Sequence, residues 1–155
     1  MMLKTHLAVV FLFIILFLPY INPLSYKILF FFVTLIATML PEIDCSSSKI
    51  GSHIALKPLQ LFVKHRNFIH SLTFCLIITL IFAFFIPRLA LPFFLGYSLH
   101  LFLDSFTVEG ITPFWPYKKK SQGKIRTGGI LEKTLFLIFL GLDAFVLIIF
   151  LIGIF

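Results

Sequence analysis

Leu135-Phe-Leu-Ile-Phe-Leu-Gly-Leu-Asp-Ala-Phe-Val-Leu-Ile-Ile-Phe-Leu-Ile-Gly-Ile-Phe155 is the stretch that decides the fold class of this chain. It is long enough to cross a bilayer as a helix, which takes about 20 apolar residues. Its apolar run is continuous, whereas strands of a membrane barrel alternate between apolar and polar residues. Four more apolar segments come before it: Leu7 to Leu18, Ile28 to Leu40, Phe68 to Ile86, and Leu89 to Leu103.

The composition agrees with a membrane protein. Of the 155 residues, 60% are hydrophobic and 12% are charged, whereas soluble domains are about half apolar and a quarter charged. We therefore predict an all-α, polytopic membrane helical bundle of about five transmembrane helices, with residues 1–155 forming a single membrane-embedded domain. The short segments must extend into flanking residues to span the bilayer. Pro19, Pro41 and Pro87 are predicted to end the first three helices.

Charge predicts the orientation. With five spans, every Lys and Arg except Lys27 and Arg88 falls on the side of the N-terminus, out of 13 in the chain. The positive-inside rule then places the N-terminus in the cytoplasm and the C-terminus outside, in a multi-pass inner or plasma membrane protein. This orientation assumes that the first segment is an uncleaved span. The stretch from Pro19 to Ser25 has no small-residue cleavage signal, which favours that interpretation.

The same topology places all five histidines and two aspartates on one side of the membrane. Part of this clustering is automatic, because the other side has only two short turns, and His53 needs no further explanation. His6, His70 and His100 are more informative, because each one adjoins or enters an apolar segment. Imidazoles and carboxylates gathered at helix ends are what a metal site between those ends requires.

His100 and Asp104 are four residues apart, so they share one face of a helix. Such a pair can bind one metal ion through imidazole and carboxylate, and a buried His–Asp hydrogen bond would give the same pattern. Gly96 lies one turn earlier on that face, where the lack of a side chain lets another helix approach closely.

Two other stretches carry candidate ligands. His65 and His70 are five residues apart and cannot share a helix face, so we expect His65 in a loop and His70 on the first turn of the third span. Between them, Arg66 is either a positive-inside charge or a group that stabilises an anionic substrate. Glu42 and Asp44 are expected to project from an extended stretch after Pro41, either as ligands or as solvated acids.

The last span contributes two acids. Asp143 lies deep in it and is expected to be protonated or hydrogen-bonded inside the bundle, in a structural role. Glu132 shares its face about three turns earlier. One catalytic zinc needs three protein ligands, so the candidate set allows either one metal with a base and supporting groups or a two-metal site for phosphoester cleavage.

The loop after the fourth segment, Pro113-Phe-Trp-Pro-Tyr-Lys-Lys-Lys120 and on to Arg126, places aromatic residues before basic ones. This order suits the headgroup layer of a membrane. We therefore predict membrane lipids as partners and no nucleic acid, although the sequence pI is about 9.7.

In their order and spacing, these motifs resemble the YdjM-like family, described as LexA-binding, inner-membrane-associated, metal-dependent hydrolases. The resemblance extends over nearly the whole chain, and Glu42, Cys45 and Ile69 are departures from the family pattern. The matching motifs are Thr5-His6, Leu40-Pro-Glu-Ile-Asp44, Ser48 and Gly51, His65-Arg-Asn-Phe-Ile-His-Ser71, Leu95-Gly-Tyr-Ser-Leu-His-Leu-Phe-Leu-Asp-Ser-Phe-Thr-Val-Glu-Gly110, and Leu131-Glu132.

The resemblance and the residues together predict a membrane-bound hydrolase with a divalent metal, zinc or manganese, at the cytoplasmic interface. Its substrate would be an ester or phosphoester of a lipid-like molecule. The alternative is a non-enzymatic membrane protein that senses or carries metal, or recruits a partner through its basic loop. For the hydrolase, the predicted base is Glu42 or Glu132 and the predicted anion-binding group is Arg66. The predicted metal ligands are His6, Asp44, His65, His70, His100 and Asp104.

Overall fold

The computed structural model describes residues 1–43 and 66–152. Within these ranges the chain is helical and has no named strand, only two isolated bridges in the loop before the last helix. The helices are α1 (Leu3–Phe17), α2 (Leu24–Ile43), the single turn α3 (Arg66–Ile69), α4 (Leu72–Phe85), α5 (Pro87–Ser105) and α6 (Ile130–Leu151), with a 3₁₀ turn at Leu18–Tyr20.

This architecture confirms the predicted all-α membrane bundle. Three stretches are long and apolar enough to cross a membrane: Leu3–Tyr20, Leu24–Glu42 and Ile130–Leu151. Helix α4 is apolar but shorter, with 14 residues. The first two helices begin several residues before the apolar segments that mark them in the sequence, as the length of a span requires.

Prolines end two of the predicted helices as expected, and the third expectation is wrong. Helix α1 ends at Phe17 before Pro19, and α4 ends at Phe85 before Pro87. Helix α2, in contrast, continues through Pro41 to Ile43, so Glu42 lies in a helix and not in an extended stretch. A proline removes one backbone donor, and membrane helices tolerate this loss where the freed groups find other partners.

The predicted third span is divided. Helix α3 ends at Ile69, and α4 begins only at Leu72. The reason is local: Ser71 is the N-cap of α4, and its Oγ accepts a hydrogen bond from the Phe74 N–H at 3.1 Å. The Leu72 N–H donates to the Pro113 carbonyl at 2.8 Å. His70 therefore lies in the turn before α4, and the expectation that it sits on the helix is wrong.

Helices α2 and α5 pack most closely at Gly96, as its position on the sequence predicted. A Cβ added there would lie 2.2 Å from the Thr34 carbonyl oxygen, which is backbone and cannot move aside alone. The Thr38 hydroxyl donates to the Gly96 carbonyl at 3.3 Å. This contact sets the position of α5, the helix that carries His100 and Asp104.

Helix α6 lies at the edge of the bundle and packs against α1. Glu132 and Asp143 are its buried residues, while most of its apolar side chains are exposed. Such a surface suits lipid contact. The Lys4 ammonium lies 4.9 Å from the centre of the Phe136 ring, which adds a cation–π contact between the first turn of α1 and the second turn of α6.

Candidate metal centre

Asp104 is the centre of a cluster formed by the ends of several helices. Its Oδ1 lies 3.2 Å from His6 Nε2 and also contacts the Met1 amino nitrogen. Its Oδ2 lies 3.3 Å from His100 Nε2 and 4.0 Å from His70 Nε2. One carboxylate therefore joins the start of α1, the turn before α4 and the last turns of α5.

The two nearest imidazoles are fully enclosed. The rings of His6 and His100 are stacked, with centroids 4.0 Å apart and planes 10° apart, and both residues are 0% exposed. The His70 ring lies further off, with its centroid 5.9 Å from that of His100. The enclosed pair therefore forms the inner part of the cluster, and His70 forms its rim.

The ring nitrogens of His6 and His100 have no hydrogen-bond partner among the described residues. Their Nε2 atoms lie 3.2 and 3.3 Å from the oxygens of the Asp104 carboxylate. Buried polar atoms are nearly always satisfied, and each exception needs an explanation. Imidazole nitrogens grouped beside a carboxylate in a buried site are the donors that a metal ion requires.

The distances also fit a metal ion. Ligand atoms from His6, His100 and Asp104 all lie within 4.8 Å of one another. Two atoms that each bind zinc at about 2.1 Å are separated by about 3.0–3.4 Å, depending on the coordination geometry. The distance from His6 Nε2 to Asp104 Oδ1, 3.2 Å, and that from His100 Nε2 to Asp104 Oδ2, 3.3 Å, fall in this range, each to a different oxygen of the carboxylate. The donors, two imidazoles and one carboxylate, suit zinc and manganese.

Local bonds fix the elements that carry these groups. The Tyr97 hydroxyl, fully buried, donates to the Ile69 carbonyl at 2.6 Å and so ties α5 to the turn that carries His70. At the end of α5, the Thr107 hydroxyl donates to the Asp104 carbonyl at 2.7 Å. Both bonds restrain the backbone beside a candidate ligand.

Glu132, one of the two predicted bases, is hydrogen-bonded at both of its carboxylate oxygens. It is 1% exposed and lies in the first turn of α6. Its Oε1 accepts hydrogen bonds from the Met2 N–H and, at 3.0 Å, from the Thr5 hydroxyl. Its Oε2 accepts a bond from the Gly128 N–H. Both carboxylate oxygens are therefore engaged with the starts of α1 and α6.

Several predicted site residues are not part of this cluster as described. Asp44 and His65 lie outside the described residues, so their predicted roles as ligands stay predictions. Arg66 begins α3, and its predicted role in binding anions is likewise untested. Glu42 lies in the last turn of α2, half-buried, and it interacts electrostatically with His100.

Asp143 has the buried position that the sequence predicted. It is 6% exposed, and it shares with Glu132 the side of α6 that is buried. Its Oδ1 has no hydrogen-bond partner within residues 1–43 and 66–152. Of the two predicted alternatives, a hydrogen bond at that oxygen is not present among these residues, and protonation stays a prediction.

The sequence-based interpretation did not identify Thr5 and Tyr97 as site residues. Both are 0% exposed, and each makes a bond that holds a segment bearing a candidate ligand. A signal was available, because Thr5 directly precedes His6 and Tyr97 lies three residues before His100. A hydroxyl beside a candidate ligand in an apolar helix marks a place where a polar bond must be made inside the bundle.

Comparison with known proteins agrees with a membrane protein. The profile of a family described as YdjM inner membrane protein matches residues 1–154. The "Uncharacterized protein YvsG" of Bacillus subtilis (strain 168) is 34% identical to this chain over 85 residues. That match covers 52% of this chain and 53% of the relative, so the chain spans about half the length of the curated relative it matches. No solved structure matches the chain.

Proposed function

This chain belongs to the YdjM inner membrane protein family, and we propose that it is a membrane-bound, metal-dependent hydrolase. The observation that carries the proposal is the group formed by His6, His100 and Asp104, whose ligand atoms lie within 4.8 Å of one another in a buried site. Unpartnered imidazole nitrogens beside a carboxylate support metal binding over a purely structural His–Asp pair.

The three ligands found among residues 1–43 and 66–152 match the number that a catalytic zinc site uses. Structural zinc sites are closed by four protein ligands, whereas catalytic sites use three and keep a position open. When bound, a divalent metal supplies Lewis-acid activation of water and of the scissile ester or phosphoester. His6 and His100 would hold it as neutral imidazoles, and Asp104 would contribute the negative charge.

Two of the remaining candidates, His70 and Glu42, lie near this group. His70, whose Nε2 is 4.0 Å from Asp104 Oδ2, stands where it would reach a substrate or a second ion. Glu42 stays the candidate base, because both oxygens of Glu132 already accept hydrogen bonds. The sequence alone adds three more residues to the proposal. Asp44 and His65 are proposed as further ligands, and Arg66 as an anion-binding group.

The surroundings favour an amphiphilic substrate. Next to α5 runs the loop that the sequence marks as interfacial, with Phe114 58% exposed and Tyr117 76% exposed. Lys118, Lys119 and Lys120 follow directly and are exposed. Aromatic and cationic side chains in this order suit the headgroup layer. A metal centre at the neighbouring helix ends would meet the ester and phosphoester groups of lipids, on the cytoplasmic face that the charge distribution predicts.

Metal content and turnover test the proposal together. We expect wild-type protein purified in detergent to retain a divalent metal, and we expect a His6→Ala, His100→Ala double variant to lose it. The wild type should hydrolyse at least one of a panel of lipid esters and phosphoesters, and a chelator should stop the reaction. Wild-type protein that binds neither zinc nor manganese would contradict the proposal.

A matched variant controls for general damage to the bundle. Exchange of His53 for Ala removes an imidazole that the sequence assigns no role, so metal content should not change. Metal retained by the double variant at the wild-type level would also contradict the proposal. Stable metal binding without turnover of any substrate would favour the non-enzymatic alternative, a protein that senses or carries metal.

A further inference from the structure

We propose that Glu132 is a positioning residue that holds His6 in the metal centre, and not the base of the reaction. This inference rests on the proposed function, because it concerns how that centre is assembled. Three donors converge on the Glu132 carboxylate: the Met2 N–H, the Thr5 hydroxyl and the Gly128 N–H. Two of these belong to the start of α1, directly before His6.

The first turn of α1 needs such a partner. The first N–H groups of a helix have no acceptor within the helix, and the N-cap residue of α1, Met2, offers no side-chain bond. Glu132 supplies the acceptor from another helix. Thr5 is 0% exposed, so its hydroxyl must be satisfied inside the bundle, and Glu132 Oε1 accepts from it at 3.0 Å.

The same carboxylate also fixes the start of α6. It accepts the Gly128 N–H just before the first turn of that helix. A negative side chain is favourable at this position, because the N-terminus of a helix carries a partial positive charge. Glu132 therefore joins the first turns of α1 and α6, and Lys4 over the Phe136 ring, one turn further along α6, adds a weaker contact between the two helices.

This junction bears directly on the metal centre because α1 contributes His6 and no other ligand of the group. The other two, His100 and Asp104, belong to α5. If the first turn of α1 shifts, the His6 ring moves relative to Asp104, whereas the two ligands of α5 keep their mutual geometry. Loss of the Glu132 bonds is therefore expected to weaken metal binding mainly through His6.

The exchange Glu132→Gln tests this directly. A carboxamide has a single acceptor oxygen, so it cannot satisfy donors on both sides, whichever way it is turned. We expect the zinc affinity, measured by competition with a chromogenic chelator, to fall by about 10–100-fold, as for groups that orient metal ligands. Thr5→Val should lower the affinity in the same direction by a smaller factor, and Thr5→Ser should restore it.

A double-variant comparison separates positioning from general stabilisation. In a His6→Ala background, Glu132→Gln should cause no further loss of zinc affinity, because the ligand through which Glu132 acts is gone. Equal losses in both backgrounds would overturn the inference. Thr134→Val is the matched control on α6, because the Thr134 hydroxyl is exposed and bonds only the Ile130 carbonyl within its own helix. It should leave the affinity unchanged.

If Glu132 is the base of the reaction, the Glu132→Gln exchange gives a different result. If Glu132→Gln abolishes turnover while the zinc affinity and the absorption spectrum of the cobalt-substituted protein stay at their wild-type values, Glu132 is not a positioning residue. A change in that spectrum would instead support the inference, because the spectrum reports the ligand geometry. Wild-type protein that binds no zinc or cobalt would overturn the proposed function itself, which is a separate outcome from a Glu132 variant that binds like the wild type.

Discussion

We expect Asp104→Asn to abolish the proposed metal binding while leaving the helical bundle folded. The exchange keeps the shape of the side chain but removes the anion that both enclosed imidazoles approach, at 3.2 and 3.3 Å. Loss of a group that only orients a ligand costs about 10–100-fold in metal affinity, so loss of a ligand should cost more than about 100-fold. Elemental analysis and chelator competition on the purified variant would measure the loss, and circular dichroism would show whether the helices remain.

The matched control is Glu109→Gln. Glu109 is another acid, five residues further along the chain, and it is exposed. Its exchange for an amide changes the net charge by the same amount, and the metal content should stay at the wild-type level. An Asp104→Asn variant with wild-type metal content and affinity would show that Asp104 is the partner of a structural histidine pair and not a ligand.

Gly96→Ala will cause the second large effect, a loss of stability. The added Cβ would meet the Thr34 carbonyl oxygen at 2.2 Å, so α2 and α5 must separate. Overpacking of this kind costs about 1–3 kcal/mol, and because the contact is with backbone we expect a loss of about 3 kcal/mol in the free energy of unfolding. Thermal unfolding in detergent would measure it.

Gly141→Ala provides the comparison within the same chain. Gly141 lies in α6, and an added Cβ there meets nothing within 4 Å. Because alanine favours a helix over glycine by about 1 kcal/mol, this exchange should leave the stability unchanged or raise it slightly. If the two exchanges destabilise the protein equally, the close approach of α2 and α5 is not the cause of the stability lost in Gly96→Ala.

Much of the architecture could be predicted because it depends on local composition. Continuous apolar runs predict membrane helices wherever they occur, and the close contact at Gly96 follows from its place on the face of His100 and Asp104. The grouping of His6, His70 and His100 followed from topology, because helix ends on one side of a bundle must meet there. These features require no knowledge of individual side-chain contacts.

Other features depend on partners that are distant in sequence. Helix α2 continues past Pro41, although proline, considered without its surroundings, is expected to end a helix. The role of Glu132 could not be predicted, because its partners Met2 and Thr5 lie 130 and 127 residues away along the chain. A lone acid at a helix start is equally suited to serve as a base, a ligand or a cap, and only the position of α1 distinguishes these roles.

X-ray absorption spectroscopy of the zinc-loaded protein tests the central claim most directly. The proposed centre predicts imidazole and oxygen ligands at about 2.0–2.2 Å, with imidazole scattering that falls by one ring in His6→Ala and likewise by one ring in His100→Ala. A wild-type spectrum without imidazole scattering, or one that neither exchange alters, would contradict a metal centre built from His6, His100 and Asp104.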